Sequence, residues 1–310
     1  MKMGNVMGFL RKLFYKFLYW TGFYLYFTVS IRKTLSVKVL NVKETFALIE
    51  KGRTLIRFGD GELRLLMGVG DVDFQKRDRR LEADLKKIYD SYCQNQEGRV
   101  LLCLPGFLSN YPREYELTKD GSYWVFTFLR KYFSCFKKLF FASRQIYFGE
   151  ASITRPYCQI QNLEYAEYVF GEFKRIFNGK RILLIEGRFT RFGVGNDLFY
   201  GARSVKRILG PETNAYDKID EIYDRARKED CDMVLIALGP AAKVLAYRLS
   251  EDGFFCLDVG HLDVEYEWYK LRAKEKVNIE NKYVNECNEK LVVNNFVDKG
   301  YEEEIIYRCG

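Results

Sequence analysis

Hydrophobic positions along the chain fall into two rhythms that alternate. "VKETFALIEKG" spaces its apolar residues for a helix that Gly52 can end, and Thr54 to Phe58 is a short apolar run that reads as a buried strand. A short helix over Glu62–Met67 follows, then a charged amphipathic helix over 78–92 and the strand "RVLLCLP", closed by Pro105 and Gly106. Residues 121–133 have helical spacing, and "RQIYFGEAS" reads as a strand leading into the loop "ITRPY". Beyond residue 161 the rhythm is clearer. The helix "QNLEYAEYVFGEFKRIFNGK" ends near Asn178–Gly179, the strand "RILLIEG" follows, and "RFTRFGVGNDLFYGA" is a long glycine-bearing loop expected to enter a helix. "DKIDEIYDRARKED" is a helix, "DMVLIALGP" a strand, "AAKVLAYRLSEDG" a helix, "FFCLDVG" a strand, and "HLDVEYEWYKLRA" a loop and helix. Residues 277–310 are polar and irregular, with a strand expected over Glu304–Tyr307.

This alternation predicts an α/β fold with a single, doubly wound, mostly parallel sheet flanked by helices. Three segments are expected: an N-terminal helix over 1–40, the sheet domain over 41–276, and a tail over 277–310. Ligands should meet the carboxyl edge of such a sheet. One strand ends in Arg57, Asp60 and Glu62, and another leads to Thr154, Arg155 and Pro156. A third ends in Glu186, Gly187, Arg191, Gly193, Gly195, Asn196 and Asp197, and a fourth in Gly239 and Pro240. The last ends in Asp258, Gly260, His261, Asp263, Glu265 and Glu267. Polar groups therefore gather at one edge.

Each of these loops also has a plainer reading. Asp60 can cap a helix while Glu62 complements its dipole. "RFGVGNDL" suits a phosphate-cradling loop, but Leu198 stands where a dinucleotide fingerprint needs its third glycine. "LGPAA" can offer backbone N–H groups to a diphosphate or be a tight turn. Were the segment after His261 extended, the carboxylates at 263, 265 and 267 would share one face, inviting a cation or a general base.

Composition narrows the class. The 310 residues are 48% hydrophobic and 30% charged with five prolines, as in a globular protein. A formal charge of +8 suits a phosphate-bearing ligand or an anionic membrane face. With no zinc-knuckle spacing and no block of five basic residues, it does not indicate nucleic acid. The eight cysteines form no CxxC pair and several sit inside apolar runs, as expected of reduced thiols in the cytosol.

The aromatic, basic stretch from Phe9 to Ile31 stands apart. Its uncharged part, Phe17–Ile31, has 15 residues, short of the roughly 20 that span a bilayer. It lacks a small-residue cleavage site, so it does not read as a signal peptide. Basic flanks with Trp20 and several tyrosines suit a helix lying in a membrane interface at the inner face of the plasma membrane. The alternative is a helix packed on the protein's own body or at a dimer contact.

The ordered set "RFGDGE", "ITRPY", "EGRFTRFGVGNDLF", "GPETNAY", "ALGPAAKVLAYRL" and "LDVGHLDVEYEWY" resembles the GT-D glycosyltransferase family over roughly residues 40–275. The resemblance implies a Rossmann-like nucleotide-sugar-binding domain. It also implies transfer of a sugar, such as glucose, from a UDP-sugar to a lipid-linked or protein-linked glycan in bacterial surface assembly. Its DxE motif falls on Asp60–Gly61–Glu62, which would hold Mn²⁺ or Mg²⁺ against the donor diphosphate, with Arg57 beside it. Arg155 and Arg191 become diphosphate contacts. Glu186 to Asp197, with Gly187, Gly193, Gly195 and Asn196, would cradle the nucleotide, with Asn214 near base or ribose and Gly239–Pro240 near the diphosphate. His261, Asp263, Glu265 and Glu267 would face sugar and acceptor, either of the last two serving as general base. Rival readings are a nucleotide-dependent oxidoreductase and a non-catalytic nucleotide-binding protein.

Overall fold

Strands that read as continuous apolar runs lie at the centre of the sheet, as burial on both faces requires. A computed structural model describes residues 3–28, 37–69, 75–109, 117–140, 146–160, 162–284, 286–287 and 298–309. In chain order its strands are β1 (Lys38–Val39), β2 (Thr54–Arg57), β3 (Val100–Leu104), β4 (Tyr147–Glu150), β5 (Arg181–Gly187), β6 (Ser204–Gly210), β7 (Met233–Ala237), β8 (Cys256–Asp258) and β9 (Ile305–Arg308). They form one sheet in the order β1-β4-β3-β2-β8-β7-β5-β6-β9, every pairing parallel.

The helices are α1 (Met3–Thr28), α2 (Val42–Glu50), α3 (Asp60–Leu66), α4 (Arg79–Gln94), α5 (Lys119–Phe140), α6 (Leu163–Phe177), α7 (Ile219–Ala226), α8 (Ala241–Glu251), α9 (Leu262–Lys270) and α10 (Lys299–Glu304). Local chemistry fixes their starts. At α2, Asn41 accepts from the Glu44 N–H and Glu44 returns a carboxylate to the Asn41 N–H. Asp78 and Asn162 cap α4 and α6 through their side chains.

Alternation along each strand sends neighbouring side chains to opposite faces. Ile56, Leu102 and Ile236 join a core under α4, α5, α7 and α8. Leu55, Leu101 and Leu235 join a second under α2, α6 and α9. The doubly wound expectation is met.

Three expectations change. The loop after β5 enters no helix but turns directly into β6, a strand the apolar pattern did not mark. Positive φ at Arg191, Gly193 and Gly195 breaks any right-handed helix there, and Leu198 fills the second core instead. Where they are described, the residues of the expected tail pack on the sheet domain: Val277 accepts the Trp268 indole N–H, Ile279 and Val284 pack on Trp268, and β9 adds an edge strand beside β6. Finally, the helix expected over 1–40 is present from Met3 to Thr28, but Lys38–Val39 already form β1 of the sheet, and residues 1–2 and 29–36 lie outside the described residues.

Candidate active site

Beneath the carboxyl edge of the sheet lies a buried chain of charges. Arg57, at the end of β2, donates from Nε to the Asp258 carbonyl at 2.8 Å and from Nη2 to its carboxylate at 3.0 Å. Gly260 makes room for this: a Cβ there would lie 2.0 Å from Arg57 Nη2. Lys243, on α8, reaches Asp258 and Glu62, both at 3.2 Å. Burial pushes the Asp258 carboxyl up, yet Arg57 and Lys243 outweigh it and hold the group below its ordinary value. Glu62 also accepts the Gly59 N–H at 2.9 Å. Strand ends and two helix starts thus lock together where β2 meets β8, neighbours in the sheet that are far apart in sequence.

Above this floor opens a cavity of about 530 Å³. Of the residues singled out from sequence, Arg57, Asp60, Glu62, Arg155, Gly187, Asn214, Gly239, His261 and Asp263 line it. Asp60 sits at its edge with 45% of its side chain exposed and Arg64 at 3.5 Å. Its carboxyl is raised by burial in the cleft and by the Glu62 charge. Asn214, in a left-handed conformation, accepts the Lys76 N–H and so draws residues 75–76 to the rim. Gly239 precedes α8, whose first turn faces the cavity beside Lys243.

The segment after β8 is not extended. Helix α9 begins at Leu262, so positions two apart are about 200° apart and the three carboxylates do not share a face. Asp263 and Glu267 point together, both onto Lys282 at 2.8 Å and both onto the Asn196 amide at 2.7 Å. The Gly193 N–H also donates to Asp263. Burial raises the Asp263 carboxyl, against the pull of Lys282, Asn196 and Gly193. Glu265 turns the other way, fully buried, and accepts the N–H groups of Tyr157 and Cys158 with Arg155 at 3.4 Å. Neither Glu265 nor Glu267 lines the cavity.

The glycine loop is braced rather than open. Glu186 is fully buried, holding Arg207 at 2.7 Å and the Phe192 N–H at 2.8 Å. Burial raises its carboxyl, with Arg207 opposing. Gly193, Gly195, Asn196, Asp197 and Pro240 lie outside the cavity lining. Asp197 is on the surface with Lys174 and Tyr266, each at 2.7 Å. Arg191 donates to the Asn281 carbonyl at 2.7 Å and lines a separate cavity with Arg188, Phe189, Tyr301 and Arg308.

Sequence reasoning missed the wall that residues 276–287 build. Tyr283 and Glu286 line the cavity, and Glu286 holds Arg155 and Lys276, each at 2.6 Å. Burial pushes the Glu286 carboxyl up, but Arg155, His261 and Lys276 bring it far below its ordinary value. Lys243 was visible as the one cation in the first turn of the helix after "LGP", but polar residues in an irregular stretch carry no such positional signal.

The family model for the glycosyltransferase GT-D fold matches residues 55–287, a span holding the floor, the cavity and the wall. This chain belongs to the GT-D-fold glycosyltransferases. It is 33% identical over 272 residues to "Probable glycosyl transferase Gly" of Streptococcus gordonii, covering 87% of this chain and 38% of that protein. It is 32% identical over 280 residues to "Glycosyltransferase GlyD" of Streptococcus pneumoniae serotype 4, covering 88% of this chain and 32% of that protein. The chain therefore spans less than two fifths of these relatives' length.

Among solved structures, the GT-D fold of this chain superposes on the highly conserved domain of unknown function 1792, described as having a distinct glycosyltransferase fold. That match has a TM-score of 0.81 at 32% identity, over 90% of this chain and 98% of that one. A new glycosyltransferase of the same domain type from Streptococcus sanguinis matches with a TM-score of 0.79 at 33% identity, over 88% of this chain and all of that one. The DxE triplet of this GT-D chain is asymmetric. Asp60 faces the cleft, whereas each oxygen of Glu62 already has one partner. No group of three metal-ligating side chains exists among the described residues. A hard cation needs only one or two protein carboxylates when phosphates supply the rest, so Asp60, with a remaining lone pair of Glu62, fits that pattern.

Proposed function

We propose that this chain transfers a sugar from a UDP-sugar to a hydroxyl of a glycan acceptor with the aid of Mn²⁺ or Mg²⁺. The observation that carries the reading is the charge balance of the cleft. Its lining sets the carboxylates Asp60, Glu62, Glu212, Asp263 and Glu286 against the cations Arg57, Arg64, Arg155 and Lys243. So balanced a wall would not retain a diphosphate by side-chain charge alone, and a divalent ion at Asp60 would tip it. Bound there, the ion would act as a Lewis acid, stabilising negative charge on the departing nucleotide.

The protein's own groups divide the remaining work. Arg155 offers guanidinium N–H groups at the cavity wall, and the start of α8 directs backbone N–H groups toward an anion. Tyr283, with its aromatic ring, and Asn214 both line the cavity and would serve the base or ribose. Of the four candidate catalytic residues after β8, His261 and Asp263 line the cavity and Glu265 and Glu267 do not, and the two oxygens of Asp263 already meet Lys282, Asn196 and Gly193. His261 stands at the cavity wall, which Glu265 and Glu267 do not reach, and on that placement it is ahead of them to take the acceptor proton. The test is calorimetric titration of UDP into the protein with Mn²⁺ and then with excess chelator. Binding that requires metal and vanishes in Asp60→Ala supports the reading, and absence of binding in both conditions overturns it.

A further inference from the structure

We infer that α1 docks the protein on an anionic lipid bilayer, lying in the interface with its outer aromatic face inserted. This inference stands apart from the sugar-transfer reading and rests on three observations.

First, α1 is apolar on two opposite sides, and the body of the protein covers only one. Leu18, Gly22 and Tyr26 recur every four residues and pack on α5; a Cβ on Gly22 would lie 2.2 Å from the Phe126 carbonyl oxygen. Tyr19 stacks on Tyr123 with ring centres 5.2 Å apart. On the far side, Leu10, Leu13, Phe14, Phe17 and Trp20 follow helical spacing and are all exposed, Trp20 by 63%. Of the large hydrophobic residues exposed among the described residues, most belong to this one helix.

Second, the charge excess is concentrated in the same part of the sequence. No acidic residue precedes Glu44, while Lys2, Arg11, Lys12, Lys16, Arg32, Lys33, Lys38 and Lys43 all lie before it. The whole formal excess of +8 therefore resides in the first 43 residues, and the remainder of the chain is balanced. Lys12 and Lys16 are exposed beside the aromatic stripe. Aromatic residues with lysines alongside are the chemistry of a helix at the headgroup boundary of an anionic leaflet. A two-fold dimer through the same stripe would set like charges against each other.

Third, no helix among the described residues is long and apolar enough to cross a membrane. Helix α1 is also held along α5 by its inner face, so it lies on the surface rather than through it.

The test is co-sedimentation of the full chain with vesicles of phosphatidylcholine alone and with vesicles containing phosphatidylglycerol. Binding to the anionic vesicles, weakened by salt and accompanied by a blue shift of tryptophan emission that Trp20→Phe removes, supports the inference. Replacing Lys12 or Lys16 by Gln should each lower partitioning about five-fold. The combined variant Phe14→Ser, Phe17→Ser, Trp20→Ser should abolish binding while keeping the unfolding midpoint, since these side chains face solvent. Failure to bind anionic vesicles at low salt overturns it, as does equal binding to both vesicle types. So does a lipid-free dimer, seen by light scattering, that the triple variant dissolves.

Discussion

Two lysines each bridge a pair of carboxylates in this cleft, and the comparison separates what the sheet holds from what the chain merely wraps around it. Lys243 lies between Glu62 and Asp258, and all three side chains project from helices or a strand. Lys282 lies between Asp263 and Glu267 at shorter distances, yet it comes from a stretch with no helix or strand of its own. The tighter contact belongs to the looser element. Coulomb geometry alone therefore does not rank the two, because the cost of breaking a buried pair depends on whether its surroundings can open to water.

The largest effect should come from the floor. In Asp258→Ala two cations lose a fully buried partner: Arg57 loses its carboxylate, and Lys243 keeps only Glu62 of its two. We expect a loss of about 3–5 kcal/mol in urea unfolding. Because Asp258 titrates below its ordinary value in the folded protein, its contribution is present above about pH 4 and fades as pH falls through the folded value. The difference between wild type and variant should shrink at acidic pH.

Lys282→Met comes next. Asp263 would remain buried without its cation, but the wall over it, residues 276–284, belongs to no helix or strand, so we expect it to open to water before the whole fold does. The expected loss is about 2 kcal/mol, limited by the local stability of that stretch rather than by the whole fold. Hydrogen exchange should show the opening confined to those residues and α9. Asp263 is already raised, and removing Lys282 raises it further. An acid whose folded pKa lies above its unfolded value costs stability at higher pH, so the defect should ease as pH falls. A global defect equal to that of Asp258→Ala would erase the distinction between floor and wall.

That distinction also marks how far the sequence could be read. The floor was legible because strand ends announce themselves. "LIRFGDGE" and "CLDVGH" each close an apolar run with charge, and a parallel sheet must bring such ends to one edge. The wall was not legible, since residues 277–287 have no periodicity, and their positions follow from contacts such as Trp268 with Val277 that are tertiary. The β6 strand was missed for a related reason. Its first half is exposed and charged, so "SVKRILG" lacks the apolar run that marks β5 and β7. The carboxylates after His261 were seen, but their directions depended on where α9 starts, and one residue of shift there decides which of them meets the cleft.

Within the DxE triplet the same contrast can be drawn at short range. Glu62 is tied to the floor, so Glu62→Ala should cost about 2 kcal/mol through the lost Gly59 contact and the loss of one of the two carboxylates of Lys243. Asp60 is half open, and its one ion pair among the described residues is with Arg64, a surface pair worth at most about 1 kcal/mol. Asp60→Ala should leave the unfolding midpoint close to that of wild type while lowering transfer by about 100-fold or more, as expected on losing a cation worth several kcal/mol in the transition state. Equal losses of stability and activity in both variants would assign both residues to the scaffold.

A third lysine–carboxylate contact, Lys174 with Asp197, supplies the unburied reference. Its distance of 2.7 Å is shorter than any in the two clamps, and both side chains are a third or more exposed. The Lys174 and Tyr266 hydrogen bonds hold the Asp197 carboxyl far below its ordinary value. Solvent screening discounts that shift, and Asp197→Asn should cost no more than about 1 kcal/mol. The cost should appear above about pH 4, diminish as pH falls, and shrink further in high salt. Double-mutant cycles across the three lysines would then order them by burial, with the shortest contact contributing least.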